Sequence, residues 1–177
     1  DGPFGAAQAG PVLADVARLP GNVGLEAIAS AASGDLVIGA EGNGGATPIW
    51  RARLEAQAPT PVSAHYPLPH GYSLTSLDRL PDGGFVALER FYAPVIGARA
   101  RITRFPEAAA AGQAEIEPEE LGQLTPPMPV DNFEGISAVR MADGVMRIYV
   151  VSDDNFSDRQ RTLLLAFDLS EAPEEGH

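Results

Sequence analysis

The chain has 177 residues, of which 45% are hydrophobic and 20% charged; its formal net charge is -12 and it has no cysteine. That length can bury one real core, and no run approaches the roughly 18 apolar residues of a membrane-spanning helix. The negative charge argues against nucleic acid and anionic membrane surfaces as partners, while permitting cation binding. Without cysteine there are no disulfides, thiolate zinc sites or cysteine nucleophiles. All twelve basic residues are arginine.

In chain order, Val12, Leu13, Val16 and Leu19 predict a short strand within 10–19, stopped by Pro20-Gly21. Leu25 to Ser30 predicts a strand, Ser33-Gly34-Asp35 a turn, and Leu36 to Glu41 the next strand. After the Gly-rich loop 42–45, Thr47 to Leu54 and Pro61 to Tyr66 predict two more. The same order then returns: Tyr72 to Leu80, a turn at Pro81-Asp82-Gly83-Gly84, Phe85 to Glu89, and an alternating strand from Ala98 to Phe105. Residues 106–129 are rich in Ala, Glu and Pro. They predict a short strand at Ala114-Glu115-Ile116 and a helical turn opening at Pro118-Glu119-Glu120-Leu121, since Pro suits the first helical position and acids the first turn. A third round follows with Phe133 to Met141, a turn at Asp143-Gly144, Met146 to Ser152 and Thr162 to Leu169, before an acidic tail, 170–177, expected to fray.

The order repeats. Leu25-Glu26-Ala27-Ile28 aligns with Leu74-Thr75-Ser76-Leu77 and with Phe133-Glu134-Gly135-Ile136. Short strands in groups of four with turn signals predict an all-β, propeller-like fold. Residues 1–177 read as one partial propeller domain with blades at about 22–66, 72–117 and 131–169, and 10–19 as the last strand of a preceding blade. A propeller closes with about 4–8 blades, so the expectation is a part of a larger propeller, completed by more of the same chain or by a partner chain, with an open sandwich as the alternative.

Glu26, Thr75 and Glu134 hold equivalent places at the starts of the first strands, and Glu41, Glu89 and Asp153 end the second strands. Strand direction is taken to put the two sets at opposite ends of each blade. Glu26 and Glu134 read either as a carboxylate ring for a hard cation such as Ca²⁺ or as acceptors for backbone N–H groups at blade junctions. Asp153-Asp154-Asn155-Phe156-Ser157-Asp158 fails as an EF-hand, having Asp158 at the sixth position and Leu164 at the twelfth. Asp153 and Asp154 then read as metal ligands or as caps of Asx-turns. Arg159 and Arg161 read as a phosphate clamp or as partners of those carboxylates, and Arg90, Arg99 and Arg101 invite the same two readings. His65 and His70 lack a metal-spaced partner, and Trp50 reads as packing. No Gly-x-Ser-x-Gly elbow, phosphate loop or His-Glu-x-x-His motif occurs.

Asp131-Asn132-Phe133-Glu134-Gly135-Ile136, Ser152-Asp153-Asp154-Asn155-Phe156 and Gln160-Arg161-Thr162-Leu163-Leu164 resemble the bacterial phytase-like family, described as esterase-like activity of phytase. Tyr72-Ser73-Leu74-Thr75 with Pro81-Asp82-Gly83, and Leu88-Glu89-Arg90-Phe91 leading to Gly97-Ala98-Arg99-Ala100-Arg101-Ile102, fit the same pattern, so the likeness covers roughly residues 20 to 170. The resemblance implies a repeated propeller-like domain in a longer, exported bacterial protein, periplasmic or secreted, with phosphomonoester or phosphodiester hydrolysis. On that reading Glu134, Glu26 and Arg161 are the catalytic candidates, and Glu26, Glu134, Asp153 and Asp154 the ligands of Ca²⁺. The substrate would be a small phosphorylated molecule, with no nucleic acid and no membrane span involved. Thr75, where the repeat elsewhere carries Glu, leaves one carboxylate missing. The rival readings are a non-catalytic propeller binding module and a structural subunit of a larger assembly.

Overall fold

The computed structural model describes residues 5–6, 9–42, 44–56, 58–112 and 115–169. The chain is all-β. Strands β1 (Leu25–Ser30), β2 (Leu36–Ala40), β3 (Gly45–Ala52) and β4 (Ala64–Leu68) form one antiparallel sheet in chain order. Strands β5 (Tyr72–Arg79), β6 (Phe85–Ala93), β7 (Gly97–Phe105) and β8 (Glu119–Leu124) form a second. A third contains β9 (Phe133–Arg140), β10 (Met146–Ser152) and β11 (Leu164–Leu169). No helix among the described residues is long and apolar enough to cross a membrane.

The repeat visible in the sequence holds to single hydrogen bonds. The first two strands of each sheet are joined by the same turn. Ala31 N donates to Asp35 O (2.8 Å) and Gly34 N to Ala31 O (3.0 Å); Leu80 and Gly83 repeat the pair, and so do Met141 and Gly144. Gly34, Gly83 and Gly144 sit at φ 86, 110 and 89°, where a Cβ would be strained. Each first hairpin also carries a bulge at the same place: at Glu26 between Leu25 and Ala27, at Thr75 between Leu74 and Ser76, and at Glu134 opposite the Val151–Ser152 step. A bulge re-aims the side chain it carries, so the repeat delivers three re-aimed residues to one side of the molecule.

The sheets stack face to face because β6 is apolar on both faces. Phe85 and Ala87 pack with Tyr66, Leu68 and Leu74 between the first and second sheets. Val86 and Leu88 pack with Phe133, Ile136, Ile148 and Val150 between the second and third. A Cβ on Gly39 would lie 2.6 Å from Leu74 Cδ2, so the absent side chain is what lets β5 come close to β2. First strands lie side by side: Ile136 N donates to Ser76 Oγ (3.2 Å) and Ala138 N to Asp78 Oδ2 (2.8 Å), so β5 and β9 run the same way. This is a propeller-like arrangement of three sheets, and three do not close a ring.

Two expectations change. Residues 10–19 form no strand. They make a single parallel bridge, Leu13 to Thr60, and a 3-10 turn over Val16–Arg18, held where Trp50 Nε1 donates to Ala14 O (3.0 Å). The helical turn at 118–121 is strand β8, because Arg104 and Arg101 of β7 reach across to Glu119 and Glu120 at 2.8 Å each. Cross-strand ion pairing beats the local helical signal there. Glu115 makes an isolated bridge to His65, while Ala114 and the tail 170–177 lie outside the described residues.

Candidate functional site

Antiparallel pairing brings the start of a first strand beside the end of the second. Leu25 faces Ala40, so Glu26 lies beside Glu41; Phe133 faces Ser152, and Asp153 N donates to Asn132 O (2.9 Å). The expectation that the two acidic sets occupy opposite ends is therefore overturned: the second strand of a hairpin returns to where the first began. Glu26, Glu41, Glu134 and Asp153 share one mouth.

At that mouth the central group is Arg90, near the end of β6. Glu89 and Arg90 are neighbours on one strand and so point to opposite faces. Glu89 faces the first sheet and Arg90 the third. The Arg90 guanidinium meets one acceptor per nitrogen. Nη2 donates to Glu41 Oε1 of the first sheet at 3.4 Å, and Nη1 donates to Asn132 Oδ1, just before β9. Nε lies 3.6 Å from Glu134 Oε1. Nε is, among the described residues, the one buried side-chain polar atom without a hydrogen bond. Three sheets thus converge on a single cation.

The carboxylates here are electrically crowded. Burial pushes the Glu134 carboxyl above its ordinary range; the charges of Glu26 and Glu41 push the same way, and Arg90 and Asn132 oppose them. Burial likewise raises Glu41, with Glu26 adding to the rise and Arg90 and Ser73 working against it. Glu26 is exposed. Thr75, in the equivalent bulge, is buried and donates to Phe133 O (3.2 Å), so the missing carboxylate has become a clamp between the second and third sheets.

Arg90 also lines a cavity of about 560 Å³ with Tyr92, Asn132, Asn155, Arg159 and Gln160. That volume lies within the range of small-molecule sites. The loop 153–163 forms one wall, and its shape comes from its own acids. Asp153 Oδ1 accepts from Asn155 N (3.0 Å), Asp154 Oδ1 from Phe156 N (2.9 Å) and Asp154 Oδ2 from Thr162 Oγ1 (3.1 Å). The first two are Asx-turn bonds, and they hold Asn155 and Phe156 in the left-handed region at φ 49 and 54°. Arg161 stands apart from Glu134. Its side chain is 60% exposed and lies 3.6 Å from Asp131 Oδ2, which also accepts from Arg161 N (3.0 Å).

The set expected for Ca²⁺ is not gathered as a ligand shell. No group of three or more His, Cys, Asp and Glu side chains among the described residues is placed to hold a metal ion. A calcium ion takes about 6–8 oxygens at roughly 2.3–2.6 Å, whereas Asp153 and Asp154 are engaged by the backbone of their own loop and Arg90 stands between Glu41 and Glu134. His65 is exposed on β4 and His70 is exposed in a loop. Trp50 is buried packing.

Sequence reasoning singled out Arg90 only as one arginine among several and missed Asn132 as its partner. A signal was present: Glu-Arg at the end of the apolar run Phe85 to Leu88 must place one charge on each face.

No curated protein matches the chain. Among solved structures it is similar to a protein of unknown function from Bacteroides caccae, at 11% identity and a TM-score of 0.40. That match covers 81% of this chain but 47% of the other, so the chain spans just under half that protein's length. The family model described as "Phytase-like: Esterase-like activity of phytase" matches residues 3–156, well over half the chain, and ends before Arg159. The chain belongs to the phytase-like family.

Proposed function

We propose that this domain hydrolyses phosphoesters at the mouth built around Arg90. One observation carries the reading: Arg90 touches both raised carboxyls and at the same time lines the cavity. Arg90 and Arg159 would hold the phosphoryl oxygens, whose charge a guanidinium matches in shape and sign. Glu134, its carboxyl raised by burial, holds its proton to higher pH than an ordinary glutamate and suits a general acid. Exposed Glu26 suits the base. In the reaction, water attacks phosphorus and gives a proton to the Glu26 carboxylate. The phosphorus–oxygen bond to the leaving group breaks, and that oxygen takes the Glu134 proton. Arg161, expected to act on phosphate, would instead hold the cavity wall through Asp131.

The test is hydrolysis of one aryl alcohol presented as phosphomonoester, phosphodiester and carboxylic ester, with calcium and with chelator. Turnover of a phosphate ester, lowered about 10²–10⁴-fold in Glu134→Gln, is expected. Turnover of the carboxylic ester alone would redirect the reading to a plain esterase. No turnover of any of them by folded protein would remove the enzyme. A second reading, one part of a larger array, rests on apolar side chains left open on the outward faces of the end sheets. Ile28 is 58% exposed, Val139 42% and Leu164 69%. Light scattering on the protein alone and with candidate partners tests that reading.

A further inference from the structure

We infer that Arg90 is the resident cation of this mouth, occupying the place a divalent metal would need. The inference does not depend on phosphoester hydrolysis; it concerns what neutralises the carboxylates. Glu41 comes from the first sheet, Glu134 and Asn132 from the third, and Arg90 from the sheet between them. A planar guanidinium presents N–H groups on three sides, and here each nitrogen faces a separate acceptor. Such a trigonal set suits a guanidinium. A calcium ion would require the same oxygens drawn in to roughly 2.3–2.6 Å of one point, and Arg90 stands between them.

Glu26 and Glu41 bear on Glu134 electrostatically, so removing the guanidinium leaves carboxylates that repel one another. With nothing standing between them, those acids are free to close on a hard cation that the native geometry does not gather them to hold, so the guanidinium's place becomes a vacancy for one. Arg90→Met creates that vacancy at similar volume. Arg90→Lys keeps a positive charge and does not.

The experiment is thermal melting and calorimetric titration with CaCl₂ at pH 7, with MgCl₂ as the parallel probe, on wild type, Arg90→Met, Arg90→Lys, Glu134→Gln and the Arg90→Met/Glu134→Gln pair. Wild type and Arg90→Lys are expected to show no calcium response that Glu134→Gln removes. Arg90→Met is expected to gain a melting-temperature rise of roughly 5–10 °C at calcium about 100-fold above its Kd, lost again in the double variant. Calcium stabilisation of wild type that Glu134→Gln abolishes would overturn the inference, and this comparison stands even where Arg90→Met does not fold. A folded Arg90→Met that gains no response would overturn it too.

Discussion

Glu89 and Arg90 are adjacent on β6 and each belongs to a charged cluster, yet the clusters differ in kind. Glu89 is fully buried and closed on all sides. Tyr66 Oη donates to its Oε1 at 2.6 Å, Arg101 Nη1 lies 2.8 Å from its Oε2, and Thr103 Oγ1 meets the same tyrosine hydroxyl at 2.5 Å. Arg101 is held in turn by Glu120 and lies over the Tyr72 ring. Burial raises the carboxyl of Glu89 as it does those of Glu41 and Glu134, but among the described residues Arg90 alone has a buried nitrogen without a hydrogen bond, with a cavity at its side. A satisfied buried network specifies a fold. An under-satisfied one next to an open cavity is where chemistry is expected. Strand alternation assigns one role to each face of the second sheet.

The largest test of this contrast is on stability at Glu89. Glu89→Ala leaves Arg101 without its buried partner and is expected to cost about 3–5 kcal/mol in urea unfolding, with turnover per folded molecule unchanged. A cost below about 1 kcal/mol would remove the structural role. Arg90→Met is expected to cost less, about 2–3 kcal/mol at pH 7, because its side chain is 24% exposed, and to abolish turnover. Its cost also depends on pH. Without Arg90 the folded-state values of Glu41 and Glu134 rise further above their unfolded ones. A raised carboxyl contributes its stability below the unfolded value and loses it as pH climbs through the folded one. The penalty of Arg90→Met is therefore smaller at pH 5 than at pH 7, and equal penalties would contradict the carboxylate pairing. Tyr66→Phe should cost about 1–2 kcal/mol by removing the hydroxyl shared by Glu89 and Thr103. The smallest effect is at Glu41. Glu41→Gln should flatten the wild-type fall in stability from pH 5 to 7, by less than about 1 kcal/mol.

The strands and the repeat were legible because hairpin turns and alternation are local. Ser33-Gly34-Asp35 and Asp143-Gly144 announce turns without knowledge of the rest, and the glycines at φ 86 and 89° show why. The bulges were legible only as an alignment: Glu26, Thr75 and Glu134 fell in one column before any bulge was visible. β8 was misread because its determinants are Arg101 and Arg104 on another strand, which the Pro-Glu-Glu segment does not record. The candidate site was half legible. Its acids stood out, but their grouping followed from antiparallel return and from a cation, Arg90, supplied by the intervening sheet. Asp153 and Asp154 offered a metal-like string whose oxygens are taken by the backbone N–H groups of Asn155 and Phe156 and by the Thr162 hydroxyl.

The most direct measurement is turnover of an aryl phosphodiester by wild type, Arg90→Gln and Glu89→Gln, each corrected for folded fraction. Hydrolysis by wild type and by Glu89→Gln, with Arg90→Gln slower by about 100-fold or more, is the predicted result. Arg90→Gln working at the wild-type rate, or a folded wild type that hydrolyses nothing, would contradict the account.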